Sequence, residues 1–333
     1  MAKTATLLMT CQDQKGLVYK IADFIFRHQG NILRADQHIE FETERFFSRF
    51  EWSLEGFELP QTEIEEAFRP LADSVGMEWK LRFSNERPRT ALFVSKLDHC
   101  LTDLLHRQSL GELPAEFVAI VSNHGDMRPV ANRHQIPYHV FPITKANKGA
   151  QEEKELQLLE SLRVDLIILA RYMQILSDEF VARYSNRIIN IHHSFLPAFA
   201  GVRPYVQAHD RGVKLIGATS HYVTPIVDEG PIIEQDVVRI SHRDTVDDLI
   251  RKGRDIERIV LARAVRLHLE RRVLPYGNKT VVFDRGGLGI HRDFHCKRRS
   301  FAKFTFDSDR SSLQSHHLLG QRQPQAGSLT AAS

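Results

Sequence analysis

Between residues 88 and 223 the sequence carries a series of strand signals, several of them short continuous apolar runs: Thr90–Ser95, Glu116–Ser122, Tyr138–Pro142, Val164–Ala170, Ile188–Ile191 and Leu215–Val223. Each is about strand length, and several show no polar alternation, which marks strands covered on both faces. Helical stretches separate them, so the expected architecture is α/β, with an open, mostly parallel, doubly wound sheet. A long amphipathic helix from about Thr245 to Glu270 closes this domain, with Ile250, Ile256, Ile259, Val260, Ala264 and Leu267 on its apolar side.

The first eighty residues follow a different period. Ala5, Leu7, Met9 and Cys11 alternate, as do Phe46, Phe50, Trp52 and Leu54, and Met77, Trp79, Leu81 and Phe83. Leu17, Ile21, Phe24 and Ile25 mark one helix, which Gly30 is expected to end. A second should open on a Thr62/Glu65 capping box, carry Ile64, Ala67, Phe68, Leu71 and Val75 inward, and stop at Gly76. The order βαββαβ predicts two helices over one antiparallel sheet, a ferredoxin-like domain over residues 1–84. Asn85-Glu86-Arg87-Pro88 reads as the linker, and residues 88–283 as the second domain.

After Phe283 the periodicity ends, and residues 284–333 read as a disordered tail. Asp284–Ser333 carry eight Lys or Arg against four Asp, so they hold +4 of charge and leave −1 on residues 1–283. The folded part therefore has no basic surplus for a nucleic-acid backbone. No apolar run reaches membrane-span length, and Met1–Thr10 has no signal-peptide pattern. Three isolated cysteines, Cys11, Cys100 and Cys296, point to a reducing, cytoplasmic setting rather than a disulfide framework.

Ligands of open α/β sheets sit at the carboxyl ends of the parallel strands. There the sequence places Asn190-Ile191-His192-His193-Ser194-Phe195-Leu196-Pro197, and, after the next strand, His221-Tyr222-Val223-Thr224 running on to Asp228-Glu229-Gly230-Pro231. Asn190 and His192 lie two apart and share a strand face. An Asn amide can donate to a developing oxyanion, a His can pass a proton to a leaving nitrogen, and a carboxylate can orient that His or activate water. Residue types alone equally allow a buried polar strand end with a satisfied histidine and a loop-capping aspartate. Metal readings are weaker: His192-His193 lacks a second ligand pair, and His291, His295 and Cys296 fall in the aperiodic tail. Cys100 reads as a small buried hydrophobe rather than a nucleophile, and Arg251-Lys252-Gly253-Arg254 as a solvated helix face.

Asn190-x-His192 with Ser194-x-Leu196-Pro197, together with His221-x-Val223-Thr224-x-x-x-Asp228-x-Gly230-Pro231, resembles the signature of the folate-dependent formyltransferase fold. The resemblance implies that Asn190, His192 and Asp228 are the catalytic trio. It also implies that the segment Ala170–Ser177, with Met173, Gln174, Ile175 and Leu176, and Val223 beyond it, binds folate through main-chain groups around Gln174 and Leu176. Transferases of this fold that act on a ribonucleotide carry a glycine-rich phosphate loop after the first strand. Here that position reads Ser95-Lys96-Leu97-Asp98-His99-Cys100-Leu101, with no glycine and with an aspartate that would repel a phosphate.

Three segments resemble instead the formyltetrahydrofolate deformylase branch: Lys96-x-x-His99-Cys100-Leu101-x-Asp103-Leu104-Leu105, the doubled His192-His193, and Phe195–Phe199. That branch implies hydrolysis of 10-formyltetrahydrofolate by water, with no metal or other cofactor, releasing formate for purine synthesis and balancing the one-carbon folate pool. His193, Lys96 and His99 then fall on the acceptor or water side. The N-terminal domain, with Asp13-x-x-Gly16 before its first helix, resembles an ACT domain. Such domains pair and bind a small amino acid at that turn, which implies a homo-oligomer and an amino-acid effector. The family pattern stops near Phe283, so the tail is either a genuine appendage or an out-of-frame or read-through extension.

Overall fold

The structure, a computed structural model, describes residues 3–197 and 204–283, so the tail and its His291, His295 and Cys296 lie outside the described residues. The N-terminal domain runs β1 (Thr4–Gln12), α1 (Leu17–Arg27), β2 (Asn31–Glu40), β3 (Arg45–Ser53), α2 (Gln61–Ser74) and β4 (Glu78–Phe83). Its sheet has the order β2-β3-β1-β4 and is antiparallel at β1–β3, β1–β4 and β2–β3. The expected faces hold: Ala5, Leu7, Met9 and Cys11 pack on Leu17, Ile21, Ile25, Ile64 and Phe68 in one core.

Two details of chain punctuation differ from expectation. Thr62 does not cap α2: the helix begins at Gln61, its N-cap is Pro60, two residues before Thr62, and no side-chain cap forms. At the end of α1 the left-handed residue is Gln29 (φ 59), not Gly30. Gly30 is instead demanded by space, since a Cβ there would lie 2.5 Å from Ile25 Cγ2. Gly76 (φ 61) does end α2, with Met77 N–H donating to the Ala72 carbonyl.

The second domain continues β5 (Arg89–Val94), α3 (His99–Ser109), β6 (Glu116–Ser122), α4 (Arg128–Arg133), β7 (Tyr138–Val140), α5 (Lys148–Ser161) and β8 (Leu166–Leu169). It goes on to α6 (Asp178–Arg183), β9 (Ile188–His192), α7 (Pro204–Asp210), β10 (Leu215–Tyr222), β11 (Ile232–Arg239) and α8 (Val246–Leu269). Seven strands form one sheet in the order β11-β10-β9-β8-β5-β6-β7, parallel from β9 to β7 and antiparallel at β9–β10 and β10–β11. The mostly parallel, doubly wound sheet is therefore present, with apolar cores on both faces. Thr245 caps α8 through a capping box with Asp248, and Glu270 ends it.

The chain does not stop at α8. A hairpin, β12 (Val273–Tyr276) and β13 (Lys279–Val282), returns to the N-terminal sheet, where Leu274, Val281 and Phe283 bury Phe47 and pack on Leu8. Arg49 reaches the same junction and donates through Nε to the Arg271 carbonyl at 2.9 Å. The Arg251–Arg254 stretch is a solvated face except at Gly253, which is buried. A Cβ at 253 would fall inside the phenol ring of Tyr205, 2.6 Å from Cε1 and closer still to the hydroxyl.

Candidate active site

The site begins with the register of β9. Asn190 faces His221 across the antiparallel β9–β10 pair, and residues directly opposite project to the same side. Asn190, His192 and His221 therefore converge. Asn190 Nδ2 lies 3.2 Å from His221 Nε2, while His221 Nδ1 lies 2.9 Å from the Tyr222 carbonyl. Only an N–H can serve that carbonyl, so Nδ1 carries the proton and Nε2 accepts from the Asn190 amide. One amide hydrogen of Asn190 stays available.

Asp228 comes from the loop between β10 and β11. Its φ of 59 lies in the left-handed region that aspartate tolerates better than most residues. The loop closes where Tyr222 N–H donates to the Pro231 carbonyl at 2.9 Å. Gly230 is fixed by that closure, because a Cβ would collide with the Tyr222 carbonyl. The Asp228 carboxylate places Oδ1 3.2 Å from His192 Nδ1 and 3.7 Å from His221 Nε2. Hydrogen bonding from His192, with the His221 ring close by, holds its carboxyl well below the ordinary carboxylate range. His192 takes Oδ1, the His221 ring lies on the same side, and no described residue bonds Oδ2. His192 Nε2 is buried without a partner among the described residues.

These groups form one wall of a cavity of about 230 Å³. Arg171–Leu176 and Val223–Pro225 form much of the rest, so Met173, Gln174, Ile175, Leu176 and Val223 all line it, as does His193. Ser95 pins this wall: its hydroxyl donates to Asn123 Oδ1 at 2.7 Å and accepts from Met173 N–H at 3.0 Å. At the far end Ser177 N–H donates to Glu152 at 3.1 Å, and Ser177 caps α6. Between these anchors the main chain of Gln174–Leu176 has no hydrogen-bond partner among the described residues, while Met173 and Ile175 expose their side chains. The arrangement offers polar backbone edges and apolar cover for a flat heterocycle, facing a cluster that can stabilise an oxyanion and move a proton.

A second cluster was not foreseen. Glu257 of α8 is buried, with Oε1 accepting from the Tyr205 hydroxyl at 2.5 Å. Its Oε2 lies 2.9 Å from His99 Nε2 and 3.4 Å from Arg171 Nε. Burial pushes this carboxyl upward, but the His99 hydrogen bond, the Arg171 charge and the Tyr205 hydroxyl outweigh it and leave it below its ordinary value. The cluster meets the cavity at Arg171, held at φ 65, and at His193, whose ring packs edge-on against Tyr205 at 6.2 Å. Burial, then the Arg171 and His192 charges, pushes His193 down to about 4.

Lys96 and His99, expected on the water side, do not line the cavity: Lys96 is exposed, and His99 turns to Glu257. His99, Cys100 and Glu257 bring ligand atoms within 4.8 Å of one another. That set suits a metal poorly, because Arg171 already neutralises Glu257 and burial holds the Cys100 thiol well above its ordinary value. The one readable sign of the cluster was Glu257 itself, a carboxylate on the same helical stripe as Gly253, Val260 and Ala264.

Residues 88–265 match the formyl transferase family model. The formyltetrahydrofolate deformylase of Synechocystis sp. is 58% identical over 280 residues, covering 84% of this chain and 98% of its own. That of Bacillus subtilis is 49% identical over 279 residues, covering 84% and 93%. The crystal structure of a formyltetrahydrofolate deformylase from Pseudomonas syringae pv. tomato superposes with a TM-score of 0.84 at 44% identity, covering 85% of this chain and 95% of that one. This similarity spans both the N-terminal sheet and the domain that holds Asn190, His192 and Asp228, and the chain belongs to the formyltetrahydrofolate deformylase family.

Proposed function

We infer that the chain hydrolyses 10-formyltetrahydrofolate to tetrahydrofolate and formate. The observation that carries this reading is the Asn190, His192, His221 and Asp228 cluster facing the unpaired main chain of Gln174–Leu176 across one cavity. In this reading Gln174 and Leu176 bind the pterin edge, with Met173, Ile175 and Val223 against its faces. Water, received at Asp228 Oδ2, adds to the formyl carbon, and the carbonyl electrons move to oxygen. The free Asn190 N–H and His192 Nε2 meet that oxyanion. The carbon–N10 bond then breaks as N10 takes a proton from His192, whose orientation Asp228 sets through Nδ1. Asp228 takes one proton from the attacking water at Oδ2 and, once N10 has left, that proton restores His192, so the protons balance and formic acid ionises on release. His193, held neutral, lies beside this path as a hydrogen-bonding group rather than a cation.

In this reading water is the acceptor, and the filled position of a phosphate loop supports it. Ser95 is committed to Asn123 and Met173, and His99 to Glu257. No metal or other cofactor enters this scheme. The test is formate release from 10-formyltetrahydrofolate with no amine present. Formate in proportion to tetrahydrofolate supports the reading, whereas turnover that requires added glycinamide ribonucleotide overturns it.

For the N-terminal domain we propose a small amino-acid effector near Asp13 and Gly16, where Gly16 (φ 87) opens α1 towards solvent. We also propose pairing between copies through this domain, supported by the exposed Tyr19, Phe26, Leu33 and Phe41 on α1, β2 and the turn after it. Titrating glycine and methionine against formate release, beside a sedimentation measurement of the full chain, tests both. No described helix is long and apolar enough to cross a membrane. The unpaired Cys11 and Cys100 support a cytoplasmic setting.

A further inference from the structure

The face of β1 and β4 opposite the N-terminal core does not lie against apolar surface along its whole length. Thr6 pairs with Arg82 and Leu8 with Lys80 in the β1–β4 register, so both cations project to that face. They line a cavity of about 640 Å³ between the N-terminal sheet and the second domain, with Arg187 and Arg271 entering from the other side. None of these four cations forms an ion pair with a described residue. Arg82 donates to its neighbour's carbonyl at Leu81, and Arg187 donates to the Arg183 carbonyl and lies over the Tyr184 ring. The carboxylates of the cavity do not compensate them. Glu116 pairs with Arg89 at 2.9 Å, Asp165 accepts from the Arg89 main-chain N–H, and Glu86 is the one left over.

Burial first, and then the neighbouring cations, pull Lys80 and Arg271 below their ordinary values. Four like charges gathered around one cavity repel one another, and each would be better placed in open solvent. Arg271 is also held at φ 56, a left-handed conformation that is uncommon for arginine, directly after α8.

We propose that this cavity binds a small, multiply charged phosphate anion, such as a phosphate ester or polyphosphate, which bridges the two domains. The guanidinium groups offer paired donors that match phosphate oxygens, and Lys80 supplies a point charge. The site borders the catalytic strands from behind. Arg187 immediately precedes β9, three residues and about 10 Å of strand from Asn190. Tyr222, on the cavity wall, gives its carbonyl to His221 and pairs its hydroxyl with His268 at 2.7 Å. This site is separate from the turn at Asp13–Gly16.

The experiment is thermal denaturation of the full chain in sodium pyrophosphate, against sodium chloride of equal ionic strength, for three proteins. These are the wild type, a Lys80→Met/Arg82→Gln double variant, and a Lys154→Met/Arg254→Gln control that removes two exposed cations elsewhere. At a hundredfold excess over Kd, pyrophosphate should raise the wild-type and control Tm by about 5 °C and leave the Lys80/Arg82 variant unmoved. In chloride alone the Lys80/Arg82 variant should melt no lower than wild type, since the repulsion it loses outweighs the one hydrogen bond from Arg82 to the neighbouring Leu81 carbonyl. The proposal fails if pyrophosphate does no more than chloride, if it raises all three proteins equally, or if the Lys80/Arg82 variant melts several degrees lower in chloride.

Discussion

Replacing a mid-helix glycine by alanine ordinarily stabilises a protein by about 1 kcal/mol. At Gly253 the sign should reverse. The new methyl would occupy the space of the Tyr205 ring, so either the ring or α8 must move. Repacking of that kind costs about 1–3 kcal/mol. Moving the ring also breaks the 2.5 Å hydrogen bond to Glu257, a bond to a charged and fully buried acceptor, worth about 1.5–3 kcal/mol. Set against the helix gain, Gly253→Ala should destabilise by about 2–5 kcal/mol, which for a chain of this size is a fall of about 5–15 °C in Tm. Differential scanning calorimetry measures it. The same substitution made in a Tyr205→Ala background should be neutral or stabilising, because nothing then fills the space. A Tm equal to or above wild type for Gly253→Ala, or an equal loss in both backgrounds, would refute the reasoning.

Asp228→Asn should lower the turnover number for formate release by about 10²–10⁴ while KM changes little; near-normal turnover would remove Asp228 from the mechanism. Ser95→Ala leaves the Met173 N–H unpaired and frees the Arg171–Leu176 wall of the cavity, so it should raise KM more than it lowers kcat, at a stability cost of about 1–3 kcal/mol. Burial depresses His193 to about 4 and His268 to about 3, each from an unfolded value near 6.5. The unfolded chain therefore takes up these protons first, stability rises with pH through this range, and Tm should fall as pH drops from 6.5 towards 4. His268→Gln should flatten that slope, and an unchanged slope would show that the acid sensitivity lies elsewhere.

What could be read in advance follows from how local each signal is. The strands of the second domain were legible because continuous apolar runs are a property of the segment itself, and α8 because Thr245 and the apolar spacing behind it act within a few residues. Asn190 and His192 share a face through the two-residue period of one strand. The position of His221 opposite Asn190 is a matter of register between strands 31 residues apart, which no local period encodes. The Glu257 cluster draws on α3, the end of β8, α7 and α8, and its members meet only after the sheet has formed. The misplaced helix signals have a different cause. Thr62 and Gly30 have the right chemistry for a cap and a stop, but Pro60 takes the N-cap two residues earlier, and Gln29 takes the left-handed turn while Gly30 sits where Ile25 and Phe57 leave no room for a Cβ.

The hairpin β12–β13 ties the earliest-made part of the chain to one of the last. During synthesis β1 and β3 emerge roughly 220 to 270 residues before their covering partners, so Leu8 and Phe47 must wait on the ribosome with an unfinished outer face. Arg49, likewise, has no Arg271 carbonyl to meet until α8 is complete. The N-terminal domain can reach its fold early and still remain half a surface, adhesive towards other nascent chains for most of translation. A premature stop anywhere before residue 273 would leave that state permanent.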